Sequence, residues 1–283
     1  MESSLTGLRA ASTAAPAVWV ALLSAGCASA PSANEGLDAV LWAQTSAEYR
    51  SLAMEAYATA TVRLEAALAD AGWTAAVEQP PGYDTLPPAI ILDIDETVLD
   101  NFPYQARLVL RGGRYDRESW AAWVREGSAE AVPGSLAFTR AAAGRGVAVF
   151  YVSNRSHELE EATLANLERA GFPVSGDGDR ILLRGERPTW VSDKTSRRLD
   201  VASRYRVLLV VGDDLLDFVS AEALSPGARV QLSDRYRDWW GTRWIMLPNP
   251  AYGSWERAVY GYEDSLDDAE RLRRKREGLD PGT

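Results

Sequence analysis

The segment ILDIDETVLDN, Ile91 to Asn101, follows a breaker-rich stretch that ends in Leu86-Pro87-Pro88. Ahead of its first carboxylate, Ala89-Ile90-Ile91-Leu92 is apolar without alternation, the pattern of a strand buried on both faces of a parallel sheet. Asp93 and Asp95 stand where that strand ends and the chain turns. In open α/β sheets, ligands bind beyond the carboxyl ends of the strands. Two adjacent anions there repel each other unless a cation or a shared proton intervenes, so the pair points to a divalent metal. A lone D-x-D suits a solvated acidic turn equally well, and the choice rests on the rest of the chain.

Outward from that segment, the apolar signature recurs in Val147–Val152 (VAVFYV) and Val207–Val211 (VLLVV), with shorter strands at Ile181–Leu183 and Trp244–Leu247. Between them, helices are predicted from Val132-Pro133-Gly134 to Gly144, over 158–170 with Gly171 and Pro173 as stops, and over 194–204. Strands alternating with helices imply right-handed crossovers and an α/β, doubly wound parallel sheet. Before the sheet, apolar positions from Leu37 to Leu68 recur at helical spacing, as one long helix or two in succession. The Trp- and Arg-rich stretch from Asn101 to Ala131 has no strand pattern. It follows the first strand-end loop directly, where an α-helical cap would cover the pocket. Residues 35–263 thus read as one domain with an N-terminal helical extension, and 264–283 as a charged tail with a solvated helix.

Composition limits the chemistry. The chain has 283 residues, is 46% apolar and 25% charged, and carries a net charge of −10. That field disfavours a nucleic acid polymer as partner, and a phosphorylated substrate would need local cations or a metal. The single histidine, His157, excludes His-rich metal clusters, so acid–base chemistry must run on carboxylates. His157 itself reads as an exposed residue at a helix start.

The single cysteine, Cys27, ends an apolar stretch that follows Arg9 and is too short to span a bilayer. Leu22-Leu23-Ser24-Ala25-Gly26-Cys27 resembles a bacterial lipobox, with Ser24 in place of the usual leucine. Residues 1–26 are then a signal peptide, Cys27 the lipidated membrane anchor, and 27–34 a tether. Ala28-Ser29-Ala30 leaves soluble export open as the alternative. Lipidation of Cys27 would leave no thiol for a disulfide.

Three more signals fall at strand ends. Ser153-Asn154-Arg155 offers a hydroxyl and a backbone N–H at a predicted helix start, suited to a phosphate oxygen. Lys194 opens the next helix. Gly212-Asp213-Asp214-Leu215-Leu216-Asp217 is a second acidic cluster, with oxygen ligands for a hard cation. The order D-x-D-x-T, Ser, Lys, G-D-x-x-x-D resembles that of the haloacid dehalogenase-like phosphatases, which implies their Rossmann-type fold. More narrowly, ILDIDETVLDNFPY and LLVVGDDLLDF look like the paired signatures of class C bacterial acid phosphatases, the outer-membrane lipoprotein 5′-nucleotidases. The resemblance extends to Trp42–Tyr57, Ala131–Arg155 and Leu247–Gly253.

The resemblance implies that Asp93 is the nucleophile of an aspartyl-phosphate intermediate and that Asp95 protonates the leaving group, then activates water. It implies Mg2+ held by Asp93, the Asp95 carbonyl and Asp213, with Asp217 behind them. Ser153 and Asn154 would hold phosphate, Lys194 would neutralise charge, and Thr97 would fix the motif loop. Asp214 departs from the usual Asn or Thr and adds charge beside the metal, and Phe102 is placed at the pocket lip. Among the 10 Trp and 11 Tyr, Trp120, Trp123 and Tyr252 are the aromatics positioned to stack a nucleobase.

The implied activity is hydrolysis of a small-molecule phosphomonoester, with nucleoside monophosphates foremost, by an envelope lipoprotein. A broad phosphotransferase and a non-catalytic surface binding lipoprotein are the alternatives, the latter disfavoured by four intact site residues. A homo-oligomer is left open by the sequence.

Overall fold

The computed structural model describes residues 36–176 and 178–282. The predicted signal peptide, Cys27 and the predicted tether to residue 34 lie outside the described residues. No described helix is long and apolar enough to cross a membrane.

Two helices open the described chain, α1 (Leu37–Thr45) and α2 (Ala47–Ala69). Ser46 separates them: its backbone is extended, and its hydroxyl accepts the Tyr49 N–H as an N-cap. Strand β1 (Pro88–Leu92) follows, and then the insertion. The insertion is a pair of helices, α3 (Phe102–Arg111) and α4 (Arg117–Glu126), clasped by a two-stranded antiparallel ribbon of β2 (Leu99–Asp100) and β3 (Glu130–Ala131). The ribbon was not legible in a stretch read as free of strands, because two residues are too few to show a period.

The remaining elements are α5 (Ser135–Gly144), β4 (Ala148–Ser156), α6 (Glu160–Ala170), β5 (Ile181–Arg184), α7 (Thr195–Ala202), β6 (Arg206–Gly212), α8 (Pro226–Arg235), β7 (Trp244–Met246), α9 (Ser254–Val259) and α10 (Asp268–Glu277). Among the described residues, five parallel strands pair in the order β5-β4-β1-β6-β7. The fold is therefore α/β, with β1 at the centre. The helix α10 buries no residue, as a solvated charged face requires.

The two faces of the sheet explain the unbroken apolar runs. Ile90, Leu92, Val149, Tyr151, Leu209 and Val211 enter one core with Tyr57 and Leu64 of α2 and Phe138 of α5. Their neighbours Ala89, Ile91, Phe150, Val152 and Val210 enter the other, with Val201 of α7, Phe218 and Trp244. Successive strand residues point to opposite faces, so a strand covered on both sides must be apolar at every position. Each buried Ile, Leu or Phe contributes roughly 1.5–3 kcal/mol through the surface it removes from water.

Phe102 belongs to neither core nor pocket lip. It is fully buried in a third cluster with Val40, Ala43 and Tyr49, meeting the Tyr49 ring edge-on at 5.4 Å. This corrects the expectation of a lip residue: the ring faces α1 and pins the start of the cap to the N-terminal helices.

Candidate active site

The central strand and both its neighbours deliver side chains to one edge of the sheet. Asp93 leaves β1 with its N–H donating to Val211 O of β6 at 2.9 Å. Its carboxylate meets the Lys194 ammonium, which also lies 2.6 Å from Asp217 Oδ1. Lys194 is the N-cap residue of α7, and all three side chains are buried. Asp217 is fully committed, since its Oδ2 accepts the N–H groups of Asp213 at 3.1 Å and Asp214 at 2.9 Å. Gly212 has to lack a side chain here, because a Cβ would overlap the Asp217 carboxylate folded back over it.

Asp213 is held on both oxygens, by Thr97 Oγ1 at 3.1 Å and by Asn249 Nδ2 at 2.8 Å. Thr97 thus links the two acidic loops, and its own carbonyl accepts the Tyr57 hydroxyl. Asp93, Asp213 and Asp217 each bring a carboxylate oxygen within 4.8 Å of the others. Three clustered oxygen anions suit a hard divalent cation such as magnesium.

The electrostatics carry the same message. Burial pushes Asp93 up to about 7; Lys194 pulls against it, while Asp217 and Asp95 add to it. Asp213 is driven well above the carboxylate range by burial and then by Asp217 and Asp93. Burial alone would lower the Lys194 ammonium, but Asp217 and Asp93 outweigh it and the net shift is upward. One buried ammonium therefore faces an excess of anions, an imbalance a bound cation would relieve.

Asp95, on the turn beyond Asp93, is bracketed by other groups. Its Oδ1 accepts Arg155 Nη2 at 2.8 Å, Asn101 Nδ2 at 2.9 Å and Arg155 Nε at 3.0 Å. Its Oδ2 has one hydrogen-bond partner among the described residues, the Ser153 hydroxyl at 3.4 Å. Strand β4 continues through Ser156, so Ser153-Asn154-Arg155 do not start a helix as the sequence led us to expect. They lie where the ladder to β5 becomes irregular, between Ser153 and Ser156. Such an irregularity re-aims side chains at a strand end. Arg197, buried in α7, donates to Ser153 O at 2.5 Å and to Asn154 Oδ1 at 2.6 Å, joining this segment to the Lys194 helix. His157 is exposed in the turn that follows.

Two of the three candidate stacking aromatics are linked to the Asp95 turn, Tyr252 through Glu96 and Trp120 through Arg155. The Tyr252 hydroxyl donates to the carboxylate of Glu96, which also accepts the Asn101 N–H at 3.1 Å. Glu96 is buried and left-handed at φ 56°, a conformation these bonds hold in place. Trp120 of α4 meets Tyr104 edge-on at 5.0 Å and lies 5.6 Å from the Arg155 guanidinium. Trp123 is buried, with its indole N–H donating to Asn101 Oδ1 at 2.8 Å, and is therefore not free to stack a base.

Asp214 adds its charge beside the acidic cluster, as expected, and helps to raise Asp213, but its side chain is engaged elsewhere. Its carboxylate turns away from the acidic cluster to accept Leu216 N–H at 3.0 Å and Ser254 N–H at 2.6 Å, with Arg229 at 3.6 Å. These bonds tie the carboxylate to the start of α9. Sequence reasoning gave no role to Arg155, Asn101, Arg197 or Asn249. Arg155 and Asn101 were adjacent to motif residues, yet nothing in a linear sequence distinguishes a buried guanidinium from a surface one.

Comparison with known proteins agrees with this geometry. The sequence pattern of the HAD superfamily, subfamily IIIB (acid phosphatase), matches residues 7–255. The structure of the class C acid phosphatase from Bacillus anthracis superposes with a TM-score of 0.79 at 36% identity, covering 88% of this chain and 98% of that one. The same enzyme with tungstate bound gives 0.79 and 35% identity. Acid phosphatase 1 of Solanum lycopersicum is 30% identical over 166 residues, 57% of each chain. The stem 28 kDa glycoprotein of Glycine max is 26% identical over 167 residues, 57% of this chain and 58% of that protein. The match thus spans somewhat more than half the length of these curated relatives. With the acidic strand-end clusters, the buried lysine and this extent of likeness, the chain belongs to subfamily IIIB of the HAD superfamily, the acid phosphatases.

Proposed function

We propose that the protein is a magnesium-dependent phosphomonoesterase acting through an aspartyl-phosphate on Asp93, with nucleoside 5′-monophosphates as its main substrates. The observation that carries the reading is the Asp93–Lys194–Asp217 chain of buried charges beside Asp213, with Asp95 on the next turn. Asp93 is the attacking carboxylate, and Lys194 holds it in place and balances charge on the incoming phosphate. Ser153 and the Asn154 backbone receive the phosphate oxygens. Asp95 delivers a proton to the departing alkoxide oxygen and then removes one from the water that cleaves the acyl-phosphate.

Asp93, Asp213 and the Asp95 carbonyl would hold the metal, with Asp217 orienting Lys194 and the Asp213 loop. When bound, magnesium neutralises phosphate charge and aligns the in-line displacement. The tungstate complex of the Bacillus anthracis enzyme supports an oxyanion site in this fold. The cap pair α3–α4 carries Trp120 toward Asp95, and the C-terminal loop brings Tyr252, which favours a flat leaving group. The leader supports an exported protein anchored by lipid on Cys27.

A phosphatase assay across a panel of nucleotide, sugar and aryl monophosphates, with and without magnesium, tests the proposal. Lack of release from every member of the panel would overturn it.

A further inference from the structure

We propose that Arg155 and Asn101 are positioning residues for Asp95: they occupy its Oδ1 and leave Oδ2 as the oxygen that carries the proton. This rests on Asp95 acting as acid and base, and it adds a cap-linked device that orients the carboxyl group.

The argument starts from hydrogen-bonding capacity. Oδ1 faces three N–H donors between 2.8 and 3.0 Å. A proton placed on that oxygen would point at groups that can only donate, so a protonated Asp95 must carry it on Oδ2. The one hydrogen-bond partner of Oδ2 among the described residues, Ser153 Oγ at 3.4 Å, belongs to the segment assigned to phosphate. In the first step the Asp93–phosphorus bond forms as the phosphorus–oxygen bond to the leaving group breaks, and the Oδ2 proton passes to that oxygen. In the second, water oxygen bonds to phosphorus, the Asp93–phosphorus bond breaks, and Oδ2 takes the water proton. One oxygen serves both transfers without rotation of the carboxyl group.

The clamp is itself locked from the cap. An indole N–H can only donate, so the bond from Trp123 Nε1 at 2.8 Å requires the carbonyl oxygen of the Asn101 amide to face α4. The amide nitrogen is then turned toward Asp95. Arg155 is equally fixed: Nη1 donates to Thr163 Oγ1 of α6 at 3.2 Å, Nη2 lies 3.4 Å from Asn101 Oδ1, and Trp120 covers the guanidinium. Both tryptophans come from α4. The cap helix therefore takes part in aiming the acid as well as in enclosing the leaving group.

The test is the dependence of turnover on the leaving group in the magnesium-loaded, full-length protein. An aryl phosphate with an acidic phenol needs little protonation, whereas an alkyl phosphate needs a full proton. Arg155→Met and Asn101→Ala should lower kcat for the alkyl phosphate by about 10- to 100-fold, the aryl kcat by less than about threefold, and leave both KM values nearly unchanged. Asp95→Asn should show the same asymmetry more strongly, and Arg155→Met added to it should cost little more. Arg155→Lys, which keeps the charge and loses the fork, should recover only part of the alkyl activity. Trp123→Phe keeps an aromatic ring in the core while removing the indole donor, so it carries the test if the arginine variants do not fold. Its alkyl kcat should fall by about two- to fivefold with the aryl rate preserved. Equal losses on both substrates in these variants, with asymmetry retained in Asp95→Asn, would overturn the clamp and leave the function standing. Absence of asymmetry in Asp95→Asn would remove the acid–base reading and the clamp together.

Discussion

Asp214 caps Ser254: its carboxylate takes both the Ser254 N–H and the Ser254 hydroxyl, fixing the start of α9 to the acidic loop after β6. The bond makes this aspartate a structural element beside the chemistry. Asp214→Ala should lower stability by about 1–3 kcal/mol through the lost cap and the donors left unpaired. Magnesium affinity should change less than it does in Asp213→Ala. Chemical denaturation and a magnesium titration of activity check both statements.

Asp93→Asn should abolish turnover with the fold retained, since a carboxamide fills the same volume and cannot form an acyl-phosphate. The variant also removes one anion from a crowded cluster, so its metal-free stability at pH 8 should match or exceed that of the wild type. Normal turnover in this variant would exclude the covalent route.

The raised Asp93 has a stability consequence with a definite sign. Its ordinary value of 3.8 rises to about 7 in the metal-free fold. The native state then binds a proton more tightly than the unfolded chain. The stability this confers is complete below pH 3.8, declines as pH rises, and is lost above about 7. Asp213 is shifted in the same direction. Thermal melts of chelator-treated protein should therefore fall in Tm from pH 5 to 8, and added magnesium should raise Tm most at the upper end. A Tm that climbs over that range without metal would contradict this assignment. Activity should vanish in chelator and return with magnesium, while calcium restores it poorly because its looser coordination misaligns the displacement.

Substrate choice should respond to the two aromatics at the Asp95 turn. Stacking is worth roughly 1–3 kcal/mol per base, so nucleoside monophosphates should be favoured over sugar phosphates by about 10- to 100-fold, with little discrimination among bases. Tyr252→Ala should raise KM for adenosine monophosphate and affect an aryl phosphate less. Trp120→Ala should do the same and also lower kcat on alkyl esters, because it uncovers Arg155. Unchanged nucleotide preference in both variants would leave these rings without a part in recognition.

Cys27→Ala should release the protein from membranes or leave its leader uncleaved, with the catalytic domain active in either case. Fractionation and intact-mass measurement of the mature protein check this, and a detergent-free soluble wild type would favour cleavage near Ala30 instead.

The strands were legible because burial on both faces leaves an unbroken apolar run, as in Val207–Val211, and the acids stood out where those runs stop. Lys194 was expected, from its place in the order of motifs, to balance charge on Asp93, whereas its second carboxylate partner, Asp217, was not foreseen. What stayed hidden is side-chain direction. Nothing in Gly-Asp-Asp tells that Asp213 turns inward to Thr97 and Asn249 while Asp214 turns outward to Ser254. Phe102 looked like a pocket residue because it adjoins the motif, whereas the Tyr49 ring across from it decided its burial. Arg155 and Asn101 were passed over for the same reason, since their meaning lies in Asp95 and Trp123, distant in sequence or in another element.

The order β5-β4-β1-β6-β7 also bears on how the protein acquires activity as it folds. The acidic site draws on β1 and β6, which pair directly in the sheet but are separated in the chain by the cap, β4 and β5. Closing so long a loop is entropically slow, and such distant pairings govern folding rates. Asp213 can reach Asp93 only once β6 has docked beside β1. A chain still emerging from synthesis, or halted before residue 206, is thus catalytically silent however well its first half has collapsed. Regain of turnover after dilution from denaturant should therefore not precede the docking of β6 beside β1.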